Sequence, residues 1–421
     1  MNDSAVRTIQ SHHSDFLSQY QSFLSLNLSL DMTRGKPSAA QLDLSRRLMT
    51  LPGEDHLSPG GVDTRNYRVL DGLPELKSLF GELLGVDPGN VIVGGNSSLT
   101  MMYDTLQRAC QFGVPGGNTP WNTEPQRKFI CPTPGYDRHF LITHHLGFEL
   151  ISVDMTDTGP DMNQVEKLVQ HDSGIKGIWC VPKYSNPTGC CYDEETVKRL
   201  ASMSTAAPDF KIMWDNAYAE HHFSDDHPAL ANIASHSHQA GNANRIIQFA
   251  STSKMTLPGA GVAAMASSEE NIADAKKHLN VQGIGPDKVN QLRHLQLFGD
   301  LIGLRAHMKE HGKLVKPKFD LVDEILQQEL GQWNIASWTR PKGGYFISLD
   351  IAPGLAKKVI EMAKQAGVKL TGAGAPFPYG KDPMDRNIRI APTFPTMEDI
   401  QQATRVLCTC IKLASSESPG E

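Results

Sequence analysis

A lysine and an aspartate stand at the ends of two apolar segments that are typical of buried strands. The first segment, residues 210–215, ends in Asp215, and Tyr218 follows three residues later. The second segment, residues 245–250, leads into Lys254, which has hydroxyl-bearing neighbours. Ligands of parallel α/β sheets bind at the carboxyl ends of the strands. We therefore expect an acid, a phenol and an amine to face a common ligand.

These three groups are the ones that pyridoxal phosphate requires. The cofactor needs an amine for a Schiff base, an acid beside its pyridine nitrogen and a donor to its ring oxygen. Taken alone, an aspartate that closes a strand is more often a turn or capping residue. Lys254, however, sits among small residues (Ser251, Ser253 and the run 258–261) with little charge nearby, where an unengaged amine is costly. The combination predicts a pyridoxal phosphate site.

Composition narrows the class of protein. With 421 residues, the chain exceeds the size at which a single core keeps growing, so two domains are expected. A net charge of −6 gives no reason to expect nucleic acid. No apolar run reaches the roughly 18 residues that span a bilayer, and the N-terminus lacks a signal-peptide pattern. The seven cysteines have no metal-ligand spacing. The sequence thus predicts a cytoplasmic protein without a metal or membrane site.

The elements that must position these residues alternate between strand and helix. Strands are predicted at residues 90–95, 128–131, 150–154, 177–181, 210–215 and 245–250. Helices are predicted from Pro74 onward, over 99–106 and over 193–203. This alternation indicates an α/β fold with a mostly parallel sheet and helices on both faces.

The two ends of the chain have a different pattern. Residues 13–30 carry a weak helical repeat, and a long helical pattern begins near residue 286. Past about residue 313, we expect a strand, a helix, a short strand and a last helix that is capped by Thr396. The predicted division is an N-terminal arm with part of a small domain (1–60), a large cofactor domain (61–312) and a small α+β domain (313–421).

An anion-binding turn is predicted after the strand at residues 90–95. Gly94 and Gly95 precede Asn96, Ser97 and Ser98 at a helix start, where free N–H groups and the helix dipole attract an anion. Ordinary capping by Asn96 or Ser97 explains the same residues equally well. The chain has neither G-x-G-x-x-G nor a P-loop, which disfavours a dinucleotide or a nucleoside triphosphate.

Four short motifs together resemble the fold-type I pyridoxal phosphate-dependent aminotransferases. In that family's order, they are Asn186-Pro-Thr-Gly189, Asp215-x-x-Tyr218, Ser251-x-Ser-Lys254 and Asn387-Ile-Arg389. The resemblance covers nearly the whole chain. It is strongest to a divergent bacterial aspartate aminotransferase branch, subgroup Ic, which also carries alanine–glyoxylate aminotransferase-like labels. It implies a large domain with a mostly parallel seven-stranded sheet between helices, and a smaller α+β domain.

The resemblance implies a role for each residue around the cofactor ring. Lys254 forms the internal aldimine and, once freed, moves the proton between the substrate Cα and C4′ of the cofactor. Asp215 pairs with the pyridinium nitrogen. Tyr218 and Asn186 bind the ring oxygen, and Tyr136 stacks on the ring.

It also implies the contacts to phosphate and substrate. The phosphate is bound by polar side chains of two segments, namely Asn96, Ser97, Ser98, Ser251 and Ser253. Tyr67 reaches the phosphate of a neighbouring subunit, which implies a homodimer with shared sites. Arg389 grips the substrate α-carboxylate as a bidentate fork beside Asn186, and the loop of Gly35 closes over that carboxylate.

One stretch departs from the family pattern. The family usually places an arginine after Pro-Gly near the lysine to neutralise the phosphate, whereas residues 258–262 read Pro-Gly-Ala-Gly-Val. Either Arg34, Lys36 or Arg68 supplies the charge, or backbone N–H groups and hydroxyls suffice. A dicarboxylic substrate needs a further cation, for which the candidates are Arg34, Lys36, Arg65, Arg293 and Lys381.

The expected activity is transfer of an amino group from aspartate to 2-oxoglutarate by a ping-pong mechanism. A C–S β-lyase on the same fold is the alternative, because the run from Pro134 to Asp137 is also reminiscent of such lyases. A pyridoxal phosphate-sensing regulator is disfavoured, since the roughly 30 residues before Asp31 are too few for a winged helix.

Overall fold

The computed structural model describes residues 9–33, 35–117 and 119–417. Arg34, a candidate cation in the sequence, lies outside the described residues. The strands are β1 (Leu30–Asp31), β2 (Val91–Val93), β3 (Lys128–Thr133), β4 (Glu149–Thr156), β5 (Gly159–Pro160), β6 (Ile175–Cys180), β7 (Lys211–Asp215), β8 (Ile246–Ser251), β9 (Ala263–Ser267), β10 (Ala336–Trp338), β11 (Ile347–Ile351), β12 (Val368–Lys369) and β13 (Asn387–Ile390).

The α-helices connect these strands and flank them. They are α1 (His13–Ser25), α2 (Ala39–Asp43), α3 (Pro74–Leu84), α4 (Ser98–Phe112), α5 (Asp137–His145), α6 (Met162–Val169), α7 (Glu194–Ser202), α8 (Ile233–Gln239), α9 (Glu269–Gln282), α10 (Lys288–Phe298), α11 (Leu301–Leu330), α12 (Ala356–Gln365) and α13 (Met397–Ser416). Among the described residues, no helix combines the length and the hydropathy that crossing a lipid bilayer requires.

An eight-stranded sheet organises the larger part of the chain, in the order β2-β9-β8-β7-β6-β3-β4-β5. Five neighbouring strands, from β8 to β4 in this order, are parallel. Strand β9 is antiparallel to both of its neighbours. The mostly parallel α/β sheet is confirmed. The expected seven strands become eight, because Gly159 and Pro160 fold back to pair with the end of β4 as a two-residue edge strand.

Local signals in the sequence set several element ends. Pro74 begins α3, where its missing N–H costs no hydrogen bond. Thr396 caps α13 in a capping box with Asp399. The strand predicted over 90–95 is shorter, because Gly95 turns the chain with a φ of 63°. These ends place the turn at residues 94–98 at the edge of the sheet.

The long helical pattern near residue 286 forms two helices. Helix α10 ends at Phe298 and is followed by Gly299, which has a φ of 72°. The Asp300 side chain then caps α11 by accepting from Gly303 N at 2.8 Å. A change of structure was expected near residue 313. The helix does not end there, because α11 continues through Pro317 to Leu330. Apolar side chains on this helix remain buried on both sides of residue 313, which explains its continuity.

Separate apolar cores form on the sheet and at the chain ends. Both faces of the sheet carry buried clusters from residues 73–308. Another cluster combines residues 9–32 with residues 315–414. A small cluster joins the two groups, with Tyr218 packed beside Tyr345 and Phe346. The division at residues 60 and 312 stays a prediction.

Candidate active site

Neighbouring parallel strands bring the predicted site residues to one edge of the sheet. Asp215 is the last residue of β7 and pairs in register with Phe249 of β8. Lys254 follows the end of β8, and Asn186 and Tyr136 follow β6 and β3, which lie next in the sheet. The carboxyl ends of parallel strands share one edge, where such sheets bind ligands. The structure thus brings these groups to one edge of the sheet, and that they face a common ligand stays a prediction.

The Asp215 carboxylate is buried with one of its oxygens paired. Oδ2 accepts a hydrogen bond from His139 Nε2 at 2.9 Å, whereas Oδ1 is buried without a partner among the described residues. The imidazole stacks on Trp179 at 4.1 Å between ring centroids, with an angle of 8° between the planes. Buried polar atoms are rarely left unpaired. The free oxygen therefore indicates a place for a hydrogen-bond donor that the chain itself does not provide.

His139 was missed by the sequence analysis. It lies in α5, almost one helical turn after Tyr136, and this spacing places both residues on the same side of the helix. Their rings meet edge to face at 4.9 Å. The helical spacing in the sequence was the signal that could have identified it.

The Lys254 amine is equally free of partners. Within the described parts of the chain, Nζ donates no hydrogen bond and joins no ion pair; it stands 5.0 Å from the centroid of the Tyr218 ring. Burial lowers the pKa of Lys254, and the Asp215 carboxylate acts in the opposite direction. The Tyr345 hydroxyl donates to the Lys254 backbone oxygen at 3.1 Å, which anchors the main chain while the side chain stays free. The amine is thus held more readily neutral than an ordinary lysine.

Two phenols stand beside these groups. Burial raises the pKa of Tyr218, and the nearby Tyr136, Asp215 and Tyr345 add to the shift. Burial also raises the pKa of Tyr136, followed by the Asp215 and Asp137 carboxylates. Both hydroxyls therefore stay protonated at neutral pH, and each can donate a hydrogen bond.

The predicted anion-binding turn meets the segment that leads to Lys254. Ser97 is the N-cap residue of α4, but its side chain makes no capping hydrogen bond. Ser253 Oγ donates to Asn96 O at 3.3 Å, and Ser251 Oγ donates to Ser253 Oγ at 3.1 Å. Ser98 is buried at the start of the helix. The Ser97 side chain therefore does not cap the helix, and its hydroxyl is available to a ligand.

Among the described residues, which do not include Arg34, no replacement for the missing phosphate arginine lies at the turn. A Cβ on Gly261 would lie 3.2 Å from Asn96 O and 3.3 Å from Ser253 N, so the two segments pack closely there. Lys36 places its ammonium 3.8 Å from the centroid of the Phe394 ring. Arg68 is exposed, and neither of these cations is hydrogen-bonded to the turn within the described residues. The turn therefore offers hydroxyls and backbone N–H groups.

Arg389 lies on β13 with a buried guanidinium. Nη1 donates to Asp137 Oδ1 at 2.9 Å and to Asn186 Oδ1 at 3.3 Å, and Nη2 donates to Thr371 Oγ1 at 3.3 Å. Nε is buried and has no partner in the described parts of the chain. Asp137 and Thr371 were missed by the sequence analysis. The guanidinium thus links β13 to the loop of Asn186 and keeps one donor unused.

Gly35 lies against the ring that supports Arg389. A Cβ on Gly35 would lie 2.5 Å from the nearest atom of the Phe346 ring, so a larger side chain cannot fit. Arg389 stacks on the same ring, with Cζ 5.0 Å from its centroid. The structure therefore brings Gly35, Phe346 and Arg389 together, and closure of the Gly35 loop over a substrate stays a prediction.

Other predicted residues remain apart from this edge. Tyr67 is 70% exposed, and among the described residues its side chain makes no hydrogen bond or ring contact. Arg65 pairs with Asp63 at 2.8 Å, and Arg293 donates to Leu51 O at 2.6 Å. Lys381 is exposed. Within the single chain, none of these cations has a contact that selects it as a carboxylate-binding residue.

Comparisons with known proteins assign the chain to a family. The family model "Aspartate amino-transferase" matches residues 3–420. A Mycolicibacterium smegmatis protein with an aminotransferase name is 52% identical over 402 residues, 95% of this chain and 94% of its own. The aspartate aminotransferase of Corynebacterium glutamicum is 46% identical over 418 residues, 99% of this chain and 96% of its own.

Solved structures agree with these relatives. An aspartate transaminase from Corynebacterium glutamicum has a TM-score of 0.95 at 46% identity and covers 97% of both chains. A more distant likeness in fold, with a TM-score of 0.74 at 20% identity over 92% of both chains, is to an α-aminoadipate aminotransferase of Thermus thermophilus complexed with N-(5'-phosphopyridoxyl)-L-leucine. The chain is an aminotransferase with the fold-type I architecture, and it belongs to the aspartate amino-transferase family.

Proposed function

We propose that the protein transfers an amino group from aspartate to 2-oxoglutarate with pyridoxal phosphate as cofactor, in a ping-pong reaction. The observation that carries the proposal is the pair of unpartnered groups at adjacent strand ends, the Lys254 amine and Asp215 Oδ1. The aspartate preference rests on relatives named for that activity at 46% identity.

The residues present fit the proposed cofactor. Asp215 Oδ1 is an acceptor without a donor, which suits a protonated pyridine nitrogen. Tyr218 and Asn186 are buried close to Lys254 and Arg389, where they can bind the ring oxygen. The phosphate would be held by the residues of the turn and of the segment after β8, namely Asn96, Ser97, Ser98, Ser251 and Ser253.

Each residue then has a defined chemical task. When bound, pyridoxal phosphate supplies an electron sink for the pair left at the substrate Cα. The Lys254 amine, which burial keeps neutral more readily, would accept the proton from the substrate Cα and deliver it to C4′ of the cofactor. Asp215 keeps the pyridine nitrogen protonated, while His139 fixes the orientation of its carboxylate.

Substrate recognition is proposed for Arg389 and its surroundings. A guanidinium binds a carboxylate through paired N–H groups, and the unpartnered Nε leaves this capacity available. Asn186 positions the guanidinium by accepting a hydrogen bond from it, and the Phe346 ring packs against its face. Gly35 permits the chain to approach the ring closely enough to cover the bound carboxylate.

We further propose a cytoplasmic homodimer with shared sites and the division into residues 1–60, 61–312 and 313–421. The support for the dimer is Tyr67, which is 70% exposed and lies apart from its own site. A second copy would bring this hydroxyl to the phosphate turn. Sedimentation of the wild type and of Tyr67→Phe, with cofactor affinity measured for both, tests the dimer and the role of Tyr67 separately.

A spectroscopic half-reaction screen tests the proposed substrate. The cofactor-loaded protein is mixed with one amino acid at a time, and conversion of the visible absorbance to the amine form of the cofactor is followed. Aspartate is expected to convert it fastest, and 2-oxoglutarate to restore it. Release of pyruvate and ammonia from cystathionine, without amino transfer to 2-oxoglutarate, would instead establish the lyase.

A further inference from the structure

A large cavity lies away from the candidate active site. It has a volume of about 930 Å³ and is bounded by α11, the end of α3 and the segment between β7 and α8. Lys254, Asp215 and Arg389 do not line it. Small-molecule sites have volumes of roughly 300–1,000 Å³, so the cavity has the size of a ligand site.

One buried lysine lines this cavity without a salt bridge among the described residues. The amine of Lys183 lies 5.9 Å from the centroid of the Tyr184 ring, and the Glu220 carboxylate acts on it only from beyond salt-bridge distance. Lys183 is only 8% exposed, and within the described chain its amine donates no hydrogen bond and joins no salt bridge. The neighbouring cations differ, because Arg305 pairs with Glu220 at 3.1 Å and Lys309 with Asp225 at 2.9 Å. Lys183 thus leaves a place in the cavity for one negative charge.

A buried amide also faces the cavity. Asn216 is 7% exposed, and its Oδ1 is buried without a partner among the described residues. The backbone is fixed, since Asn216 N donates to Phe249 O at 2.8 Å. A buried carbonyl oxygen without a donor is costly. The amide therefore indicates a ligand that carries an N–H or O–H group.

The rest of the lining combines apolar side chains with polar and charged ones, among them the carboxylates of Glu82, Glu220 and Asp225. Its buried apolar members come from different elements of the fold and are Leu84, Trp214, Ile233 and Met308. Such a wall favours a hydrocarbon or aromatic body rather than a polyanion.

We propose that this cavity binds an amphipathic monocarboxylic acid with an N–H or O–H donor next to the carboxylate. The carboxylate pairs with Lys183, the donor group bonds to Asn216 Oδ1, and the apolar body packs beside Trp214. The cavity shares two chain segments with the active site, because Asn216 directly follows Asp215 and Lys183 lies three residues before Asn186. It is nevertheless a separate site with its own polar groups.

Titration calorimetry of the cofactor-loaded protein with N-acetyl-L-leucine tests the proposal. This probe has the carboxylate, the N–H and the apolar body, and its acetylated nitrogen prevents amino transfer. Wild-type protein is expected to bind it, and Lys183→Met is expected to bind at least about tenfold more weakly, the order lost with one charge-assisted hydrogen bond. N-acetyl-L-leucinamide, which lacks the carboxylate, is expected to bind weakly to both proteins.

Two further variants make the result decisive. Lys316→Met is the control for loss of a lysine, because Lys316 lies on α11, a wall of the cavity, but pairs with Asp320 outside the cavity, and binding should be unchanged. Ala306→Trp fills the cavity from an exposed helix position and should abolish binding without disturbing the fold. Absence of binding to wild type, or binding that is lost in Arg389→Gln but kept in Lys183→Met and Ala306→Trp, would overturn the proposal.

Discussion

Buried polar groups are fully paired at the first end of strand β7 and partly unpaired at its last end. At the first end, the buried Lys211 amine donates to three acceptors, at 3.0 Å to Pro115 O, 2.7 Å to Asn244 O and 3.4 Å to Asn271 Oδ1. At the last end, Asp215 keeps one oxygen unpaired, and the nearby Lys254 amine has no hydrogen-bond partner among the described residues.

This contrast separates structural charges from those that are available for chemistry. A folded chain pairs nearly all of its buried polar atoms, because each unpaired atom costs free energy. The saturated Lys211 therefore stabilises the fold. The unpaired groups lie together at the carboxyl edge of the sheet, the edge at which a ligand is expected to complete them. Substitutions at the two ends should accordingly have opposite consequences.

The largest effect is expected for Lys254→Ala. Removal of the amine eliminates the proton carrier, and general acid–base catalysis alone is worth about 10²–10⁴-fold in rate. Transamination should fall by at least that factor, while the free energy of unfolding stays the same or rises. Steady-state kinetics and urea denaturation measure the two quantities. Turnover at the wild-type rate would show that another group moves the proton.

A smaller effect on the cofactor is expected for Asp215→Asn. The neutral amide cannot keep the pyridine nitrogen protonated, and a charge-assisted hydrogen bond is worth roughly 1.5–3 kcal/mol. Affinity for pyridoxal phosphate should weaken by about 10–150-fold. Equilibrium dialysis of the apo-protein measures it, with Asp209→Asn at the opposite edge of the sheet as the control. Equal affinity in wild type and Asp215→Asn would contradict the assigned role.

Lys211→Met should reverse this pattern. The substitution removes a donor from three acceptors, of which Asn244 O keeps a second donor, Asn271 Nδ2 at 2.8 Å. An acceptor that is left unsatisfied in the interior costs about 1–3 kcal/mol. The free energy of unfolding should therefore fall by about 2–4 kcal/mol after partial relaxation, whereas the cofactor affinity of the folded fraction stays within about twofold of wild type. A loss of affinity larger than the loss of stability would show that the two ends of β7 are not independent.

The finest test is the pH dependence of cofactor capture. Only the neutral amine attacks the cofactor, so the rate of capture by the apo-protein should rise with pH and level off above the pKa of Lys254. Because burial lowers this pKa, the midpoint of the rise should lie below the usual value of about 10.4. The Asp215 carboxylate raises this pKa, and Asp215→Asn should therefore move the midpoint to lower pH. Stopped-flow absorbance across pH 6–10 follows the rate. A midpoint that moves upward in Asp215→Asn would contradict the electrostatic coupling.

Groups that follow strand ends could be predicted from the sequence. The apolar runs before Asp215 and Lys254 identify the strands, and the parallel topology then places both residues at one edge. The turn at Gly95 could be predicted in the same way, since glycine followed by serines typically begins a helix.

Contacts between distant parts of the chain could not be predicted. Arg389 and Asp137 are 252 residues apart, and no local pattern indicates that their side chains meet. The close packing of Gly35 on Phe346 also depends on how residues from both ends of the chain come together. His139 is the intermediate case, because its helical spacing from Tyr136 was visible although its carboxylate partner was not.

Covalent capture of the cofactor tests the central claim most directly. The protein is loaded with pyridoxal phosphate, reduced with borohydride and digested, and the modified lysine is located by mass spectrometry. The phosphopyridoxyl group is expected on Lys254, with no such adduct in Lys254→Ala. An adduct at a different lysine in the wild-type protein, or no adduct at all, would contradict the assignment of this edge of the sheet as the active site.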